Sequence, residues 1–168
     1  MDYAYPWSAL IASYKFGEQH GWADFFAGLL AQSPGVPDLM AGLEPGDWVI
    51  PLPLSAERLQ LRGFNQAWAL CTALARQTGT RAGTDARLLL RVRHTRPQSQ
   101  LKRKDRLANV KGAFQVDPLR TAALQGRRVV LVDDVMTSGA SIYTAAQALR
   151  DAGAAHITAV VLARTAPT

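Results

Sequence analysis

The chain has 168 residues, 48% of them hydrophobic, with 19 Lys and Arg against 13 Asp and Glu and a single cysteine. That length suits one domain with a real core. Cys71 alone excludes an internal disulfide or a cysteine zinc site, no apolar run spans a bilayer, and the N-terminus lacks a signal-peptide layout, so the cytoplasm is the expected compartment.

In chain order, residues 2–21 hold several aromatics and the stretch Tyr14-Lys15-Phe16-Gly17. Tyr3, Tyr5, Trp7, Tyr14 and Phe16 read more readily as core than as a base pocket. Residues 22–32 predict a helix with Trp22, Phe25, Phe26 and Leu29 on one side. Pro34, Gly35, Pro37, Gly42, Pro45 and Gly46 punctuate a loop-rich stretch. Trp48-Val49-Ile50 begins a strand that Pro51 and Pro53 stop. Arg58 and Arg62 follow and are placed to reach an anion, Gly63 frees the backbone, and Asn65 is a candidate N-cap. Asn65 to Arg76 has helical periodicity through Ala67, Leu70, Cys71 and Leu74, with Gly79 as its stop. Cys71 is expected as a small buried apolar residue.

Leu88 to Val92 predicts a short strand and Ala113 to Val116 another. Between Arg87 and Lys111 lie nine Lys or Arg and one acid, Asp105, which carry most of the formal charge of +6. So local an excess points to one strongly anionic partner surface. Residues 93–111 read either as a loop closing over a pyrophosphate or as a patch for nucleic-acid phosphates. Residues 128–132 predict a strand, 141–152 a helix that Gly153 stops, and 157–163 a last strand. His20, His94 and His156 are scattered and form no catalytic arrangement. This alternation predicts an α/β fold with a mainly parallel twisted sheet flanked by helices, whose ligand lies beyond the carboxyl ends of the strands.

The most informative stretch is Val129-Val130-Leu131-Val132-Asp133-Asp134-Val135-Met136-Thr137-Ser138-Gly139-Ala140-Ser141. An apolar run reads as a buried parallel strand, and the hydroxyl- and glycine-rich loop after it opens a helix, whose first amides and dipole favour an anion. Two adjacent acids do not suit a bare phosphate cradle. Unit charges about 4 Å apart repel by roughly 4 kcal/mol at an effective dielectric of about 20. A ribose resolves the conflict: its vicinal hydroxyls donate to the carboxylates while its 5′-phosphate reaches the loop. A hydrated Mg²⁺ would offset the remaining charge. No Gly-Lys-Ser/Thr loop and no Gly-x-Gly-x-x-Gly after a strand is present, which argues against P-loop and dinucleotide sites.

This unit resembles the ribose-5-phosphate signature of type I phosphoribosyltransferases. With Tyr14-Lys15-Phe16-Gly17, Ile50 to Leu54, Arg62-Gly63-Phe64-Asn65-Gln66, Gln98 to Leu101, Arg106, Asn109-Val110, Gly112-Ala113-Phe114 and Leu162-Ala163-Arg164, the order and spacing resemble the ComF/GntX-like phosphoribosyltransferase family, linked to competence and DNA uptake. The resemblance implies a type I phosphoribosyltransferase fold in a single domain over 1–168, with a small hood from 1–45 and a core from 46–168. The four-cysteine zinc module that family members commonly carry ahead of this domain is absent from this chain. Asp133 and Asp134 would bind the ribose hydroxyls of phosphoribosyl pyrophosphate. Thr137, Ser138, Gly139, Ala140 and Ser141 would hold the 5′-phosphate, and Val135 and Met136 belong to the same substrate-binding stretch. Ile50, Pro51, Leu52, Pro53 and Leu54 would form the pyrophosphate loop, and Arg58 and Arg62 would help bind the substrate. Arg103 and Arg106, in the closing loop, would join the two acids in catalysis. Mg²⁺ would arrive with the pyrophosphate, near Asp133 and Asp134, without a direct protein ligand set. The implied activity is phosphoribosyl transfer to a nucleophile that the sequence does not name. The alternatives are a non-catalytic module sensing phosphoribosyl pyrophosphate and a DNA-uptake factor acting through partners or single-stranded DNA. The basic segment has few aromatics to stack bases. No residue pattern specifies an oligomeric state, and no membrane insertion is expected.

Overall fold

A computed structural model describes residues 1–16, 21–92 and 112–165. The elements in chain order are α1 (Trp7–Phe16), α2 (Gly21–Ala31), α3 (Val36–Ala41), β1 (Trp48–Pro51), α4 (Ala56–Arg62), α5 (Gln66–Thr78), β2 (Gly83–Thr84), β3 (Leu89–Arg91), β4 (Phe114–Val116), a 3-10 helix (Pro118–Leu124), β5 (Arg128–Met136), α6 (Ala140–Asp151) and β6 (His156–Arg164).

Four strands form one parallel sheet in the order β2-β1-β5-β6. Val129 to Val132 of β5 are buried one after another, as a strand covered on both faces must be. Val130 and Val132 join Val49, Val160 and Leu162 in an apolar cluster under α1, α2, α3 and α5. Val129 and Leu131 join Ile50 and Leu52 in a second cluster with Ala145 and Leu149 of α6 and with Leu89, Phe114 and Val116. Residues 1–45, expected as a hood, supply Ile11, Tyr14, Phe26, Met40 and Leu43 to the first cluster.

Buried polar groups fix the register of the sheet. The Asp47 carboxylate accepts the amides of Glu44 and Arg128, each at 2.9 Å, and so ties the start of β1 to the start of β5. At the other end, the Leu52 amide donates to the Val132 carbonyl at 2.8 Å. Cys71 is buried as expected, its Sγ 3.2 Å from the Val49 carbonyl, and burial pushes its thiol up to about 12.

The structure differs from the sequence reading in four places. β5 runs on to Met136, so Asp133 and Asp134 lie inside the strand, paired along β6. β3 and β4 pair antiparallel in a ribbon of their own, outside the parallel sheet. α3 occupies the stretch expected as loop: Pro37 falls in its first turn, where a missing N–H costs nothing. α4 buries none of its residues, so it leaves no apolar period to read.

Leu131 is fully buried at the centre of the sheet. Leu131→Ala is expected to cost about 2–5 kcal/mol by transfer and cavity terms. Leu119→Ala, at a side chain 94% exposed, should stay within about 0.5 kcal/mol. Urea unfolding of the two variants checks the contrast.

Candidate functional site

The register creates the site. β1 stops at Pro51, opposite Val132, whereas β5 continues beside β6 through Met136. Beyond Val132, β5 therefore has no strand on its β1 side among the described residues, and a cleft of about 570 Å³ opens there. Asp133 and Asp134 line it, with Leu52, Pro53 and Leu54 after β1, and Arg58 and Arg62 on α4.

Because side chains alternate along a strand, the two acids fall on opposite faces. Asp134 shares the face of Val130 and Val132, and its Oδ2 lies 3.2 Å from Lys15 Nζ on α1. Asp133 shares the face of Val129 and Leu131. Each carboxylate is also held locally: Asp133 Oδ1 accepts the Asp134 amide at 2.9 Å, and Asp134 Oδ1 accepts the Val135 amide at 2.7 Å. Burial, and then the charge of Asp134, push the Asp133 carboxyl well above its ordinary range; the Asp134 amide and Lys15 oppose that shift.

Thr137, Ser138 and Gly139 form the bend between β5 and α6. Gly139 is the N-cap of α6 at φ 75°, a left-handed conformation that L side chains avoid, and it brings no side chain to satisfy the first amides of the helix. Thr137, Gly139, Ala140 and Ser141 all face the cleft. That leaves a positive helix end beside the acids.

The opposite wall is cationic. Arg58 and Arg62 come from α4, whose N-cap Ser55 accepts the Arg58 amide at 3.4 Å. Arg91, at the end of β3, lies over the Phe114 ring at 5.4 Å. Burial lowers the pKa of Arg62 and of Arg91, while the Asp133 charge raises both. Asn65 joins the parts: its Oδ1 accepts the Ala67 amide as the N-cap of α5, and its Nδ2 donates to the Leu52 carbonyl at 3.2 Å.

Of the predicted residues, Asp133, Asp134, Val135, Met136, Thr137, Gly139, Ala140, Ser141, Leu52, Pro53, Leu54, Arg58 and Arg62 meet in this one cleft. Pro51 does not line it; it is buried as the last residue of β1. Ser138 lines a depression on the outer side of α6 with Tyr143, and its Oγ accepts the Ala140 amide at 3.4 Å. Val135 and Met136 belong to the strand rather than to the loop. Arg103 and Arg106 lie outside the described residues, as does the whole of 93–111. Lys15, Glu57 and Arg91 reach the cleft without having been singled out for it; of the aromatics expected as core, Tyr3 lines the cleft and Tyr5 is exposed. Lys15 stood inside a noted motif, but its target is remote in sequence.

An α/β domain with paired acids where β5 outruns β1 and a glycine-capped helix beside them has the arrangement of a phosphoribosyltransferase-type domain. Residues 85–167 match the family model described as phosphoribosyl transferase domain. The glutamine phosphoribosylpyrophosphate amidotransferase of Bacillus subtilis, complexed with ADP and GMP, shares the fold at a TM-score of 0.55 and 18% identity, over 89% of this chain and 30% of that one. In sequence the chain is 35% identical to the DNA utilization protein YhgH of Salmonella typhimurium over 164 residues, 98% of this chain and 70% of the relative. It is also 35% identical to competence protein F of Haemophilus influenzae over 163 residues, 96% of this chain and 69% of the relative. The chain belongs to the ComF/GntX-like phosphoribosyltransferase family.

Two stability predictions follow from the site. The raised pKa of Asp133 means that its proton binds more tightly in the folded chain than in the unfolded one. As pH rises from the ordinary value of 3.8 through the raised one, ionisation is easier in the unfolded chain, and stability is lost. Asp133→Asn should therefore stabilise the protein at neutral pH, and the gain should vanish as pH falls toward 3.8. Unfolding midpoints measured across that range decide the point. Asn65→Ala removes both a cap and the tie to Leu52, and should cost about 1–2 kcal/mol in the same assay.

Proposed function

We propose that this chain binds phosphoribosyl pyrophosphate with Mg²⁺ in the β5 cleft and transfers its phosphoribosyl group to a nucleophile, releasing pyrophosphate. The observation that carries the reading is the placement of Asp133 and Asp134 where β5 outruns β1, between the Gly139-capped end of α6 and the arginine wall. A ligand with a diol flanked by two anionic groups matches that order of acids, helix end and cations.

In this reading the ribose hydroxyls donate to Asp133 and Asp134. The 5′-phosphate sits at Thr137 to Ser141, where amides and hydroxyls donate to it. The pyrophosphate faces Arg58, Arg62 and Arg91, which stabilise charge as it leaves. The nucleophile attacks the anomeric carbon, the bond to the pyrophosphate oxygen breaks, and its electron pair departs with pyrophosphate. The cation-like ring formed on the way is stabilised by the neighbouring carboxylates. No covalent enzyme intermediate is required.

Among the described residues no cluster of three or more His, Cys, Asp or Glu forms a metal cage. Two carboxylates beside a phosphate-bearing ligand are instead what a hydrated Mg²⁺ accepts. Asp133 and Asp134 would contact its waters, and bound Mg²⁺ would supply charge neutralisation to the leaving group.

Calorimetry with phosphoribosyl pyrophosphate should show Mg²⁺-dependent binding that weakens on the order of a hundredfold in Asp133→Asn/Asp134→Asn. No binding by the parent chain would sink the proposal. A second reading retains the ligand site and drops turnover, and the relatives' names favour it: DNA utilization and competence describe a process rather than a reaction. Binding without pyrophosphate release over a panel of bases and amines would select that second reading. DNA binding that survives the double Asn change and falls steeply with salt would assign a separate DNA contact.

A further inference from the structure

We propose that Lys15 is a positioning residue for the ribose-binding acids: its ammonium clamps Asp134 Oδ2 and leaves Oδ1, with Asp133, to receive the ligand's hydroxyls. The inference rests on the ligand reading above. Lys15 Nζ is 3.2 Å from Asp134 Oδ2, and the two side chains are only 17% and 12% exposed. Exposed lysine pairs contribute little, because water competes for both ends and the stem must be immobilised. This pair is shielded, and its lysine is already held.

Three contacts restrain it. Tyr14, the preceding residue, is buried, and its hydroxyl donates to the Gln66 carbonyl at 2.6 Å, which anchors α1 to the start of α5. The Lys15 ammonium lies 5.9 Å from the centre of the Tyr3 ring. Tyr3 is itself fixed, since its amide donates to the Arg164 carbonyl at 2.8 Å at the end of β6. The N-terminal residues, α1 and β6 thus converge to set one ammonium against one carboxylate oxygen.

The electrostatics give the clamp its purpose. Asp133 and Asp134 are consecutive on β5 and repel each other; Lys15 pairs with Asp134, and its charge also opposes the upward shift of Asp133. Without it Asp134 would lose this ion pair at Oδ2 and keep the Val135 amide at Oδ1. Oδ2 is buried, with the Lys15 ion pair and no hydrogen bond at that oxygen. Asp134 therefore offers the ligand its Oδ1 edge, beside Asp133.

Binding of phosphoribosyl pyrophosphate with Mg²⁺ is measured by calorimetry for the parent, Lys15→Met, Lys15→Arg, Asp134→Asn and Lys15→Met/Asp134→Asn, with thermal unfolding of each. Lys15→Met should weaken binding on the order of tenfold. Lys15→Arg should restore most of it, and Lys15→Met should add little in the Asp134→Asn background. Lys15→Gln, which retains the apolar stem, replaces Lys15→Met if the latter fails to fold. Unchanged affinity in both neutral variants, tighter binding by either, or losses that simply add in the cycle would overturn the clamp while leaving the ligand reading intact. Failure of the parent chain itself to bind would overturn both.

Discussion

The cleft depends on one mismatch of strand length. β5 is buried on both faces through Val132 and must be apolar to that point. β1 ends at Pro51, opposite that same residue, and the Leu52 amide makes the last rung to Val132. From the next residue on, β5 keeps β6 on one side and has lost β1 on the other. The apolar requirement lifts there, and the two acids stand at that step.

That step gathers charge that does nothing for folding. Burial and mutual repulsion disfavour ionised Asp133, and burial likewise disfavours the guanidiniums of Arg62 and Arg91. Groups perturbed in this way cluster at functional sites. The supports beneath are rigid in compensation. Ser55 and Asn65 cap consecutive helices, Asn65 also holds the Leu52 carbonyl, and Arg91 is seated on Phe114.

The N-terminal helices belong to both the core and the cleft. Tyr14 illustrates the coupling: its ring packs against Phe26 and Phe64, its hydroxyl reaches Gln66, and the next residue pairs with Asp134. A disturbance of core packing around α1 would therefore be transmitted to the acids through a single ion pair. Relatives that share 35% identity over nearly this whole chain are named for DNA utilization and competence.

Local pattern determined a large part of this protein. The apolar run into Asp133 and Asp134, the Asn65 cap and Gly79 stop of α5, and the loop with Gly139 were legible because each is set by neighbours in sequence: strand burial, cap hydrogen bonding and positive φ. α4 and α3 were not, since one buries no residue and the other is a short helix begun by a proline. Tertiary structure alone decided that β5 continues past the acids, because that extension rests on pairing with β6 and not on its own apolar pattern. It likewise decided that β3 and β4 leave the main sheet, that Arg91 joins the cationic wall, and that Lys15 meets Asp134. The acids announce themselves in sequence because two charges in a row after a buried strand are costly. Lys15 does not, because a lysine on a helix looks the same whether it faces water or a carboxylate brought to it by the fold.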